Sequence, residues 1–368
     1  MSKRKGGREN SGGFRRVAAL AFAVLAAIVG LTVFQRKTPP IPDPDTSAME
    51  PQVAARIKEA REAAKNDPGS GERWGRLGMV FQAHELYREA QETYAVARTL
   101  DEHNFRWPYL QSQSLKEIQE IDTALDAART AISIESGYAP LLVLEGELHE
   151  QAGRTEDAMS SYRKALAIDS GCAVAEFGLG RLELERGNLS ESLSHLERAA
   201  SIEPDAGAIQ ATLARAQSRA GHKEEALAVS KLARALTPEV TLDDPVMARV
   251  LEEAVSLVGY QRRAAEAEAR GEPARAEALL RRMIELRPEE ADLHYNLANN
   301  LSRQNRSQEA EESYRKALSL DPEHVTTLIN LGILLSQRGD LVAAKRFFEK
   351  ALALEPEHPG ALASRPAS

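Results

Sequence analysis

A single cysteine among 368 residues excludes an intramolecular disulfide and every cysteine-rich zinc or haem-attachment motif. Cys172 is accordingly read as a partly buried structural thiol, not a reactive one. No glycine-rich phosphate loop is present, and the eight histidines are scattered without metal-ligand spacing. Adjacent acids such as Glu289 and Glu290 read as solvated helix starts. No catalytic constellation, cofactor motif or metal site is expected. The chain also lacks a strongly basic body. Its net charge is −8, with +4 in residues 1–50 and −12 in the remainder. An acidic body argues against nucleic acid and against lying flat on anionic lipid. Long hydrophobic runs are absent except at Val17–Phe34, and aromatics make up only 5%. Few aromatics and abundant alanine suit closely packed helices.

What is present is a period. Starts at Gly71, Phe105, Ala139, Ala173 and Gly207 are 34 residues apart, and after a 16-residue insertion the frame resumes at Leu257, Ala291 and Val325. Position 8 reads Gly78, Ser112, Gly146, Gly180, Ala214, Ala264, Ala298 and Gly332. Position 20 reads Ala90, Ala124, Ala158, Ser192, Ala226, Ala276, Ala310 and Ala344. All are small, and two helices approach to about 8–10 Å only where one presents little side chain. Position 24 carries the complementary bulk, as Tyr94, Tyr162, Leu196, Leu280, Tyr314 and Phe348, with Ala128 and Ser230 as departures. Position 15 is Gly153, Gly187, Gly221, Gly271 and Gly339, with Asn305 in one repeat. Gly, and less often Asn, takes the left-handed conformation that ends a helix. Proline at position 32 (Pro204, Pro238, Pro288, Pro322 and Pro356) stops the second helix.

This pattern resembles the tetratricopeptide repeat family over residues 71–358. The resemblance implies an all-α, right-handed superhelical solenoid of helix-turn-helix repeats. Five repeats occupy 71–240 and three occupy 257–358. A lone helix over 51–70 shields the first hairpin, and residues 359–368 form a disordered tail. The aromatic group Phe105, Trp107 and Tyr109 has two readings, core filling against repeat one or an exposed docking patch.

The front of the chain is different chemistry. Residues 1–16 are a basic tail, and residues 17–34 an uncharged run of about 27 Å as a helix, enough to cross a bilayer core. The basic flank should stay in the cytoplasm and send the remainder across the membrane, in a bacterium to the periplasm. The run exits into Gln35, Arg36 and Lys37 without a small-x-small site, which favours an uncleaved transmembrane anchor over a cleaved signal peptide. Residues 35–50 are then a stiff proline-rich spacer that lifts the array off the inner membrane.

Within the insertion, Asp243-Asp244-Pro245 is a good helix start, and nothing stops a helix from there to Arg270. A first helix of repeat six about 37 Å long is expected, with two blocks and a changed path at the join. At the other end, Val342, Phe347 and Leu352 of the last repeat lack a capping helix. Three readings stay open there: the face is tolerated, a partner covers it, or two copies meet as a homodimer.

Function then lies on the concave face, lined in the family mainly by the first helix of each repeat. Tyr295, Asn296, Asn299 and Arg303 of repeat seven and Asn330 and Gln337 of repeat eight are candidate peptide-binding residues. Asn296 and Asn330 share position 6, and an amide can pair with a peptide main chain irrespective of sequence. Arg181 and Arg215, both at position 9, form a second, basic candidate strip. The family's carboxylate clamp is not matched, because repeats seven and eight supply only asparagines at its positions. The expected function is a non-enzymatic adaptor binding a protein or peptide partner. The alternative is a periplasmic chaperone of the kind used in cytochrome c maturation.

Overall fold

The computed structural model describes residues 39–236 and 240–363, so the basic tail and the apolar run at 17–34 lie outside the described residues. Among the described residues there are helices and no strands, and no helix is long and apolar enough to cross a membrane. Helix α1 (Pro51–Asn66) leads into five hairpins: α2 (Gly71–Ala83) with α3 (Tyr87–Leu100), α4 (Arg106–Glu117) with α5 (Ile121–Ile134), and α6 (Ala139–Gln151) with α7 (Thr155–Ile168). Then follow α8 (Ala173–Arg186) with α9 (Leu189–Ile202), and α10 (Gly207–Arg219) with α11 (Lys223–Ala233). A short α12 (Pro245–Glu252) precedes three more hairpins. They are α13 (Leu257–Ala269) with α14 (Pro273–Leu286), α15 (Ala291–Arg303) with α16 (Ser307–Leu320), and α17 (Val325–Gln337) with α18 (Leu341–Leu354). A final turn, α19 (Pro359–Ala363), packs on α18.

Each hairpin closes where the 34-residue frame places a small residue. A β-carbon added at Gly78, Gly146 or Gly332 would lie 2.6 Å from the ring of Tyr94, Tyr162 or Phe348 respectively. The position-24 ring is therefore seated directly on the position-8 backbone. Tyr162 is held from both sides, because a β-carbon at Gly178 of the next repeat would also meet its ring at 2.6 Å. Burying such a ring contributes roughly 1.5–3 kcal/mol. Ala97, Ala131, Ala165, Ala199, Ala317 and Ala351 are fully buried on the second helices, where larger side chains would hold the repeats apart.

The turn inside each hairpin is left-handed. Gly153, Gly187, Gly221, Gly271 and Gly339 have φ between 69° and 90°, and Asn305 has φ 61°. The same conformation is imposed at Glu85 and Gln119, both at φ 63°, which occupy position 15 of repeats one and two. Packing overrides residue preference there, since a side chain in this region costs roughly 1–2 kcal/mol. A second regularity lies at position 4. Trp74 Nε1 donates to the Pro68 carbonyl at 3.0 Å, and Gln210 Nε2 to that of Pro204 at 2.9 Å. His294 Nε2 lies 3.0 Å from the carbonyl of Pro288. Each contact ties a first helix to the loop six residues before it.

Three expectations change, and one of two open readings is decided. Residues 41–50 do not stand free as a spacer: Ile41 and Met49 pack against the core of the first repeats. Arg61 also donates to the Pro42 carbonyl at 2.8 Å and pairs with Asp43 at 2.6 Å. The long first helix of repeat six does not form. The chain breaks between Glu252 and Leu257, and Ser256 caps α13 through its side chain. Of the two readings for Phe105, Trp107 and Tyr109, core filling holds: Trp107 and Tyr109 are fully buried, and Phe105 packs on Tyr138 with ring centroids 5.1 Å apart. Residues 359–363 are helical, although Leu341 and Val342 of α18 stay exposed. No interface of the kind that joins the other hairpins is found between α11 and α13, so the array is two blocks. Cys172 is buried, and burial pushes its thiol pKa up.

Three measurements test this packing. Glu85→Gly and Gln119→Gly are each expected to raise stability by about 0.5–1 kcal/mol, read from denaturant midpoints at unchanged slope, while Gly153→Ala lowers it. Gly178→Ala should cost about 1–3 kcal/mol, because the Tyr162 ring has no room to retreat. Burial holds the imidazoles of His84 and His149 below the ordinary value of 6.5, and a ring nitrogen of each is buried without a hydrogen-bond partner. The unfolded chain therefore binds more protons than the folded one as pH falls through 6.5 and below. Melting temperature should drop between about pH 7.5 and about pH 5.5, and His84→Gln should shrink the drop.

Candidate functional site

The inner surface of the second block forms an open groove of about 350 Å³. Asn299, Ser302 and Arg303 line it from α15, Tyr314 from α16, and Asn330, Ile333, Leu334 and Gln337 from α17. One turn of helix separates Asn299 from Arg303, so both face the same side. Asn330 lies one repeat later and donates to the Asn299 side-chain oxygen at 2.9 Å and to the Tyr295 hydroxyl at 3.3 Å. The Tyr314 hydroxyl donates to the same Asn299 oxygen at 2.6 Å. Burial raises the Tyr314 pKa to about 12, so it stays a neutral donor. Arg303 pairs with Glu268 at 2.6 Å and remains largely exposed. The groove thus presents amides and hydroxyls beside the apolar Ile333 and Leu334, with one cation at its rim. Such a lining can pair with a peptide main chain and seat small apolar side chains between.

The structure brings together Tyr295, Asn299, Arg303, Asn330 and Gln337. Asn296 is exposed and does not line the groove, and the amide hydrogen-bonded to Asn330 is that of Asn299. Position 9 of repeat seven thus faces position 6 of repeat eight. Arg181 and Arg215 sit in different surroundings. Arg181 pairs with Glu150 at 2.5 Å, whose other carboxylate oxygen accepts from Tyr162, while exposed Arg215 donates to Thr212 of its own helix at 3.1 Å. Ser302 and Tyr314 were missed by sequence reasoning. Tyr314 had a signal, its hydroxyl where repeat eight has Phe348.

The inner face of repeats one to three is not open. Residues 241–256 run along it. The Asp244 carboxylate accepts from the Tyr109 hydroxyl and, at 2.5 Å, from that of Tyr138. It also caps α12 by accepting from the Val246 and Met247 amides at 3.0 and 2.9 Å. At the other end Glu253 accepts from Arg56 Nε at 2.8 Å and Arg76 Nε at 3.0 Å. Val246 and Val250 are buried in the core cluster of repeats one to three. Among the described residues there is no group of side chains able to hold a metal ion.

Comparison with known proteins follows the same lines. Residues 139–172 and 183–249 match tetratricopeptide repeat family models. Residues 260–361 match that of the middle TPR-like domain of cilia and flagella-associated protein 70. No curated protein sequence matches the chain. Among solved structures, the chain is similar to a crystal structure of MamA at 23% identity and TM-score 0.40, covering 41% of this chain and 89% of that one. A second, YrrB, described as a TPR protein with an unusual peptide-binding site, is 18% identical over 66% of this chain and 100% of that one, at TM-score 0.26. A tetratricopeptide repeat protein from Parabacteroides merdae is 15% identical over 76% of this chain and 99% of that one, at TM-score 0.40. The three family matches, together with the small-residue hairpins built above, support the tetratricopeptide repeat family for this chain.

Proposed function

We propose that the chain is a non-catalytic adaptor, anchored in the inner membrane through residues 17–34, whose repeats face the periplasm and hold a protein partner by an extended peptide segment. The observation that carries this reading is the amide and hydroxyl cluster of Asn299, Asn330, Tyr295 and Tyr314, placed in an open groove of the second block. An asparagine with donor and acceptor atoms on one group recognises main chain irrespective of its side chains. The rim arginine, Arg303, adds a preference for an acidic residue on the ligand. The uncharged run at 17–34 with basic residues before it supports the anchor and the orientation.

The test is crosslinked co-purification of the full-length protein from membranes, beside an Asn299→Ala, Asn330→Ala variant of unchanged helicity. A single abundant partner, reduced roughly tenfold or more in the variant, is the expected outcome. Many weak clients would instead make the protein a chaperone, and a partner retained by the variant would move the site elsewhere. Protease shaving of spheroplasts should digest the repeats, and protection would reverse the orientation. Light scattering on the same preparation reports whether two copies meet through the exposed Leu341 and Val342.

A further inference from the structure

The segment 241–256 interrupts the stack, since it lies in the groove of repeats one to three instead of continuing the array. Its helix α12 has only eight residues, two turns, far below the length at which a helix stands alone in water. Its conformation therefore depends on the groove. The contacts that hold it are specific at both ends. Tyr109 and Tyr138 receive the buried Asp244 carboxylate, and Arg56 and Arg76 receive the buried Glu253 carboxylate nine residues later. Between them Val246 and Val250 occupy one helix face, four residues apart, and Met247 sulfur accepts from Gln82 Nε2 at 3.7 Å.

These are the features of a bound helical ligand, two charge anchors around an apolar stripe. The groove surface comes from the first helices of its repeats, as does most of the open groove of the second block. The fit is also incomplete. A cavity of about 200 Å³ remains beside Leu242, Asp244 and Met247, walled by Gln113, Lys116 and Val143.

We propose that the groove of repeats one to three is a second binding site, for a partner helix of the pattern Asp-Pro-Val-x-x-x-Val-x-x-Glu, and that residues 244–253 occupy it as a tethered competitor. A partner helix gains the same tyrosine and arginine anchors and displaces the chain's own copy, whose high local concentration sets the affinity a partner must exceed. The site is separate from the Asn299 groove, and its failure would leave that reading intact.

The probe is a synthetic, end-blocked, fluorescein-labelled peptide of residues 241–256, titrated by anisotropy into the full-length protein. Wild type is compared with an Asp244→Ala, Glu253→Ala variant that loosens the resident segment. The variant should bind the peptide roughly tenfold or more tighter than wild type. A peptide carrying Asp244→Asn and Glu253→Gln should lose that binding, as should Arg76→Ala added to the variant. The bound peptide should also raise the variant's melting temperature. Equal binding to wild type and variant would overturn the proposal, as would no binding by a variant of native helicity. Loss of cooperative unfolding in the variant, unrescued by peptide, would make the segment a fixed part of the core and also overturn it. A wild-type dimer that exchanges this segment would make a second copy the occupant, with the same consequence.

Discussion

The structure depends on a contact between backbone and ring. At position 8 the absence of a side chain lets a second helix come close enough for a position-24 ring to lie on bare backbone, as Tyr162 does against Gly146 and Gly178. Two consequences follow from this one constraint. The hairpin closes, because the ring fills the space that a β-carbon would take. The next repeat stacks, because the other side of the same ring meets its first helix. A solenoid built this way needs no central core, and its stability accumulates from neighbour to neighbour.

Repeated stacking leaves the first helices of each block along an inner surface, which the two blocks use differently. In the second block the surface is open and carries Asn299, Asn330 and two tyrosine hydroxyls in one hydrogen-bonded cluster. In the first block it is covered, and its arginines and tyrosines are already paired with carboxylates from the chain itself. The break in the repeat pattern is thus where the chain leaves the stack and turns back along its own interior. Arg181, which would otherwise add charge to that surface, is neutralised by Glu150. Electrostatics on the inner face are therefore set by pairing between repeats more than by the number of charged residues there.

The hairpins were legible in the sequence because their causes are local and recur. A glycine or alanine at position 8, a ring at position 24, a left-handed turn at position 15 and a proline at position 32 each act within a few turns of helix. Where the local signal fails, as at Glu85 and Gln119, the neighbouring repeats impose the same turn. Composition likewise pointed away from disulfides and metal sites, since one cysteine and dispersed histidines leave no ligand set to assemble.

What the tertiary structure decided are the relations between residues far apart in sequence. Asp244 meets Tyr109 across 135 residues and Glu253 meets Arg56 across 197, and no local pattern encodes either pairing. The uninterrupted helical propensity from Asp244 to Arg270 was real but lost, because buried Val246 and Val250 hold α12 in the groove while Ser256 starts a new helix. The contact between asparagines of consecutive repeats is of the same kind. Asn299 of one repeat lies beside Asn330 of the next, and that juxtaposition is a property of the stack rather than of any single repeat. Sequence determined the unit and its small-to-large contact, which are short-range. The course of the chain between the two blocks and the occupancy of each groove were decided by long-range packing.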